Sequence, residues 1–286
     1  MEQTAYLKAS LTAFSFALIG LVANAQKKIE LKFSPENGSR YAMSTTTKSV
    51  FTQMGMDMNM NMGMDMDAAI SRQGADKLMT LRYTNITLDM DMMGQKVNMS
   101  SNGTDKGSET LKKLTTKTFG CVIDKNGKIV RVTGLDSLIS SISAGNPEAN
   151  YFSEDAVKSM IEQSFSFYPN HPIEVGDSWM TKLDITSTVK MKANITYTLE
   201  KVDNKLAYLK ITSDMATDST QKMKVNGTEL EMTIGGTQNG EMVVDTQTGM
   251  YTTSHLVQDL KGSVSVMGQN IPMTIKSDVA STCTKK

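Results

Sequence analysis

The chain has 286 residues, with 30 Lys and Arg against 30 Asp and Glu, so it lacks the basic excess that nucleic-acid or anionic-membrane binding requires. Two histidines leave little for imidazole catalysis or metal binding, and two cysteines lack the spacing of a disulfide scaffold or zinc site. The excess that needs explaining is 24 methionines.

Residues 1–25 have the pattern of an export signal. Lys8 gives a thin positive region, residues 11–23 are apolar or small, and Ala23-Asn24-Ala25 is a small-x-small cleavage pattern. Cleavage is expected between Ala25 and Gln26, giving a periplasmic or secreted protein. The apolar stretch is shorter than the roughly 20 residues of a spanning helix, and no later stretch comes closer, so no membrane span is expected.

Residues 26–134 form the expected N-terminal β-half. Alternating Thr, Val, Ile and Tyr give strand patterns over 40–53, 77–90 and 115–123, and Lys125-Asn126-Gly127 supplies turn chemistry. Between the first two strands, every second residue is methionine: Met54, Met56, Met58, Met60, Met62, Met64 and Met66, separated by Gly, Asp and Asn. A period of two puts the thioethers on one face of extended chain and Asp57, Asp65 and Asp67 on the other. The even phase runs from Val50 to Ile70, too long for an ordinary strand of about 3 to 10 residues. Because an odd-length loop preserves phase, a hairpin centred on Asn59-Met60-Asn61 is expected, with Gly55 and Gly63 as competing turns.

Residues 135–169 read as a helical bracket. Leu135, Leu138, Ile139 and Ile142 recur at helical spacing up to Gly145, and a second helix follows Ser153 with Glu154 and Asp155 at its positive end. Residues 170–286 form the C-terminal β-half, with strand patterns over 180–190, 195–202, 206–213, 229–234, 241–244, 251–259 and 272–279. Lys285 and Lys286 read as a solvated tail. Gly120-Cys121-Val122-Ile123-Asp124 is echoed by Gly240-Glu241-Met242-Val243-Val244-Asp245, and Gly38-Ser39-Arg40-Tyr41 by Gly176-Asp177-Ser178-Trp179, which suggests a weak duplication. The expected fold is therefore mainly β: two related antiparallel halves, built from curved sheets resembling a sandwich or half-barrel, bridged by helices.

Three readings of the methionine face follow. It is a packed core face, an adaptable surface for a hydrophobic ligand or partner, or a soft-metal site, since thioethers select Cu(I). Same-face neighbours on one strand lie about 6.6 Å apart, so Cu(I) chelation needs a second strand. In an oxidising compartment Cys121 and Cys283 are candidates for a disulfide, the alternative being two buried thiols. Gly176-Asp177-Ser178 has a superficial likeness to a serine-esterase motif. However, neither His171 nor His255 sits in the setting such enzymes use, so no catalytic residue is assigned.

The stretch Pro169-Asn-His-Pro172-Ile-Glu-Val-Gly-Asp-Ser-Trp179, with Gly134 before it and Gly240 and Asp245-Thr-Gln-Thr-Gly249 after it, resembles an uncharacterised family of exported bacterial envelope proteins. That resemblance implies an envelope location and brings no activity with it. The sequence thus leads to a non-enzymatic exported protein binding a hydrophobic small molecule or an envelope protein partner. A periplasmic Cu(I)-binding protein is the alternative, and a hydrolase the third reading.

Overall fold

The computed structural model describes residues 28–92, 94–136, 139–140, 154–186, 189–225, 228–266 and 268–286. The export signal and most of the first expected helix lie outside these residues. The described elements are β1 (Arg40–Gln53), β2 (Met56–Gln73), β3 (Asp76–Met92), β4 (Gln95–Ser100), α1 (Lys106–Thr115), β5 (Thr118–Ile123) and β6 (Ile129–Thr133). They continue with α2 (Glu154–Phe165), β7 (Ser178–Thr186), β8 (Lys190–Asp203), β9 (Leu206–Thr217), β10 (Gln221–Val225), β11 (Thr228–Asp245), β12 (Tyr251–Val266) and β13 (Gln269–Lys285).

The protein is mainly antiparallel β, and its strands join one open, curved sheet in the order β6-β5-β3-β2-β1-β13-β12-β11-β9-β8-β7, with β4 beside β3 and β10 beside β11. Strands β1-β2-β3-β5-β6 and β7-β8-β9-β11-β12 are two meanders of the same layout. Strand β13 lies between them, paired along its length with β1 (Tyr41 opposite Lys285, Gln53 opposite Met273) and with β12. Lys285 and Lys286 are therefore not a loose tail. Lys285 closes this ladder and binds Glu36, while Lys286 binds Asp67 and donates its backbone N–H to Arg40.

The methionine run does not turn at Asn59-Met60-Asn61. The chain reverses at Met54-Gly55, where both residues have positive φ (52° and 75°), as a two-residue type I′ turn requires. Glycine meets that requirement without strain, whereas Asn59 and Asn61 are paired in β2 opposite Val50 and Lys48. Strand β2 then runs 18 residues, a length sustained because β1 and β3 satisfy its backbone on both sides. A two-residue turn also inverts phase, so Met43, Thr45, Thr47, Ser49 and Phe51 share the face of Met56 to Met66, and Val50 points away from it.

Other differences have similarly local causes. The patterns over 229–234 and 241–244 are one strand, β11. Its glycines give room rather than turns: a Cβ on Gly240 would lie 2.0 Å from the carbonyl oxygen of His255 on β12. Helix α1 was not anticipated. Asp105 caps it by accepting from the Ser108 backbone N–H at 2.9 Å, and Leu114 anchors it in the core.

One end of the curled sheet is closed. Residues after Lys28 form a strap that crosses beneath both meanders. Ile29 pairs with Ile173, the Phe33 N–H donates to Lys125 in the β5–β6 turn, and the Ser34 N–H donates to Thr248 in the β11–β12 turn. Leu31 and Phe33 are buried there with Phe165, Phe167, Tyr168 and Trp179. Phe33 meets Phe165 edge to face at 5.5 Å, and the Trp179 indole donates to the Phe167 carbonyl at 2.9 Å. Helix α2 packs on β7 and touches β6, the two ends of the sheet. Its buried Ser159 hydroxyl takes the N–H of Thr186 at 3.0 Å and faces the Asp184 carbonyl at 3.3 Å, so part of the edge of β7 is satisfied.

Phe33→Ala should lower unfolding free energy in urea by about 3 to 5 kcal/mol, because the cavity opens in a closed aromatic layer. Met54→Ala, at a turn residue 69% exposed, should change it by less than about 0.5 kcal/mol. Equal effects from the two would remove the strap from this account of stability.

Candidate functional site

Above the aromatic closure, the inner face of the sheet surrounds a chamber of about 330 Å³. Residues from β1, β2, β3, β5, β7, β8, β9, β11, β12, β13 and α2 contribute to one lining, so the sheet must curl around it. Met62, Met64 and Met66 form one wall, joined by Met43 from β1 and Met79, Leu81 and Tyr83 from β3. Across the chamber stand Tyr197, Ile195 and Ala193 on β8, Ile211 and Met215 on β9, and Met242 on β11. Helix α2 contributes Ile161 and Phe165. The volume lies at the small end of the range for ligand pockets, roughly 300 to 1,000 Å³.

Among the described residues, no charged side chain lines this chamber. Its tyrosines are neutral as well: burial pushes the Tyr83 and Tyr197 phenols up to about 12 and raises that of Tyr251 further. Polarity enters only through neutral groups, among them Thr45, Thr47, Ser281, Gln238 and Gln258. The carboxylates between the methionines lie on the other face. There Asp65 accepts from Ser44 at 2.7 Å and Asn85 at 3.2 Å, and Asp57 accepts from Thr52 at 2.6 Å. Asp67 pairs with Lys286 and with Arg82, and the hydrogen bond from Lys286 holds its carboxyl below the usual value.

The structure divides the seven expected methionines. Met62, Met64 and Met66 line the chamber, and Met64 and Met66 also pack on the core. Met56, Met58 and Met60 continue the same face of β2 toward the Met54-Gly55 turn, with Met56 43% exposed. Met54 sits in the turn and belongs to no face. The opposite wall, from β8, β9 and β11, was not singled out in the sequence. Its residues look like any buried alternation until pairing brings them across from the methionines.

The remaining candidates are dispersed. Cys121 and Cys283 are free thiols, not a disulfide. They sit on β5 and β13, with β3, β2 and β1 between them, and each is buried, which pushes each thiol up to about 12. Ser178 bonds the Thr198 hydroxyl at 2.7 Å, while His171 bonds Asn170 and His255 bonds Asp278, both at the surface. Among the described residues, no three His, Cys, Asp or Glu side chains are placed to hold a metal ion.

Denaturing the protein without reductant should expose two thiols to a thiol reagent, and the native protein at pH 8 should expose almost none. A denatured chain with no titratable thiol would show that the two cysteines are bonded.

The profile of a family of unknown function (DUF6263) matches residues 74–251. Comparison with curated proteins gives no match. A solved structure titled "Lipid-protein interactions in lipovitellin" is similar at 11% identity and a TM-score of 0.49, over 86% of this chain and 25% of that one. This chain thus spans about a quarter of that structure's length.

Proposed function

The chain belongs to this family of unknown function, and from that premise we propose that it is an exported, non-enzymatic binding protein for a hydrophobic small molecule. The observation that carries this reading is the chamber: about 330 Å³, walled by thioether, aliphatic and aromatic side chains, with no charged side chain among the described residues of its lining. An apolar guest gains roughly 25 cal/mol for each Å² removed from water there. Methionine suits the task because its unbranched, polarisable side chain refits around guests of different outline. A concave space lined from ten strands and a helix favours a small molecule over an envelope protein as the occupant. The export pattern of residues 1–25 and the resemblance to exported envelope proteins support a bacterial periplasmic or secreted location.

The wild-type chain should bind the neutral dye Nile red with a blue shift in emission. Met64→Arg should weaken that binding at least about tenfold, since a guanidinium without a counter-ion would occupy the apolar wall. Met180→Arg, at a residue 61% exposed outside the chamber, should leave it unchanged. Equal binding by the two variants would overturn the proposal, and so would a wild-type chain that fails to take up the dye.

One observation favours a second reading, Cu(I) binding on the outer part of the same face. The register sets Met60 opposite Met90 on adjacent strands, with Met58 beside Met60 on the same face of β2. Directly opposed residues have Cβ atoms about 4.5 to 5.5 Å apart, closer than neighbours along one strand. In an anaerobic titration under reducing conditions, replacing Met58, Met60 and Met90 by leucine should abolish most Cu(I) affinity if copper binds there. Unchanged affinity would exclude the site.

A further inference from the structure

The inner face is not uniformly apolar. The ladders align Ser49 on β1, Ser277 on β13, Gln258 on β12, Gln238 on β11 and Ser213 on β9 as successive directly opposed residues, forming one polar row across five strands. Ser49, Ser277 and Ser213 are buried. The Ser49 and Ser277 hydroxyls bond each other at 2.9 Å, and the Gln258 side-chain N–H donates to the Gln238 side-chain oxygen at 2.8 Å. Only the glutamine pair of this row lines the chamber, and both members are half-buried.

Two primary amides carry four N–H donors and two carbonyl acceptors. The bond between them uses one of each. Gln238 keeps its two donors, and Gln258 keeps an acceptor and a second donor, at the wall of a space whose other polar lining groups are hydroxyls, among them Thr45, Thr47, Ser254 and Ser281, and the Gln163 amide. Those groups are matched by a guest that offers a hydroxyl or carbonyl to the pair. A hydrocarbon would strip them of water and return nothing. A carboxylate would enter a chamber with no Lys, Arg or His among the described residues of its lining.

Resting on the carrier reading above, we infer that the guest is an uncharged amphiphile: a long apolar body with one neutral hydroxyl or carbonyl group that docks on Gln238 and Gln258. Its chain lies against Met62, Met64 and Met66. The class is that of fatty alcohols and fatty methyl esters, as opposed to free fatty acids or plain hydrocarbons.

The test is displacement of Nile red from the delipidated full-length chain by 1-decanol, decanoate and n-decane at pH 8. Decanol should displace the dye at concentrations at least about tenfold lower than either of the others, the ratio given by about 1.4 kcal/mol for the polar contact. Gln238→Leu/Gln258→Leu should reduce the advantage of decanol over decane to less than about twofold while dye binding persists. Gln258→Met, which keeps the side-chain length, should narrow it in the same direction if the double variant fails to fold. Equal displacement by decanol and decane, tighter binding of decanoate, or a full decanol advantage in the glutamine variants would each overturn the inference and leave the carrier reading in place. A wild-type chain that binds neither dye nor any probe overturns the carrier reading and this inference together.

Discussion

The ladder between β1 and β13 is the constraint on which the rest of the molecule depends. Within each meander, neighbouring strands are joined by the chain itself, but in the sheet the two meanders meet only through β13. That seam runs from Tyr41 opposite Lys285 to Gln53 opposite Met273, so it also sets the phase of the inner face. A slip of one residue would carry Met43, Thr45 and Thr47 out of the chamber and bring Ser44, Thr46 and Lys48 in. The contacts of Lys285 with Glu36 and of Lys286 with Asp67 and Arg40 lie at the end of the seam where such a slip would show first.

Strand β2 shows how one alternation serves two solvents. Its even positions give the chamber a deformable apolar wall, and its odd positions give the outer surface carboxylates that accept from Ser44, Asn85 and Thr52 or pair with Lys286 and Arg82. Neither set interferes with the other, because the pleat keeps them on opposite sides of the backbone. The wall meets its counterpart across the chamber only because the sheet curls.

Period-two patterning was enough to bound β1 at residues 40–53, and helical spacing beyond Ser153 was enough to place α2. Turn position was harder to read, because an unbroken run of alternating methionines has no internal punctuation. Gly55 carried the information, but its meaning depends on which ladder forms. Helix α1 was missed because Gly107 and Ser108 read as loop residues. The Asp105 cap, which satisfies the backbone N–H of Ser108, outweighs that local preference. The polar row from Ser49 to Ser213 has no sequence signature at all, since each member is an ordinary polar residue until the register aligns them.

The strap has a temporal consequence. Residues 29–34 emerge from the ribosome among the first of those described, yet their partners Lys125, Ile173 and Thr248 come long afterwards. The floor of the chamber therefore cannot form until more than two thirds of the chain is available, and the β1–β13 seam waits longer still. Contacts of such long range hold back folding during synthesis. On the export proposed above, that delay keeps the early segments threadable until their late partners arrive.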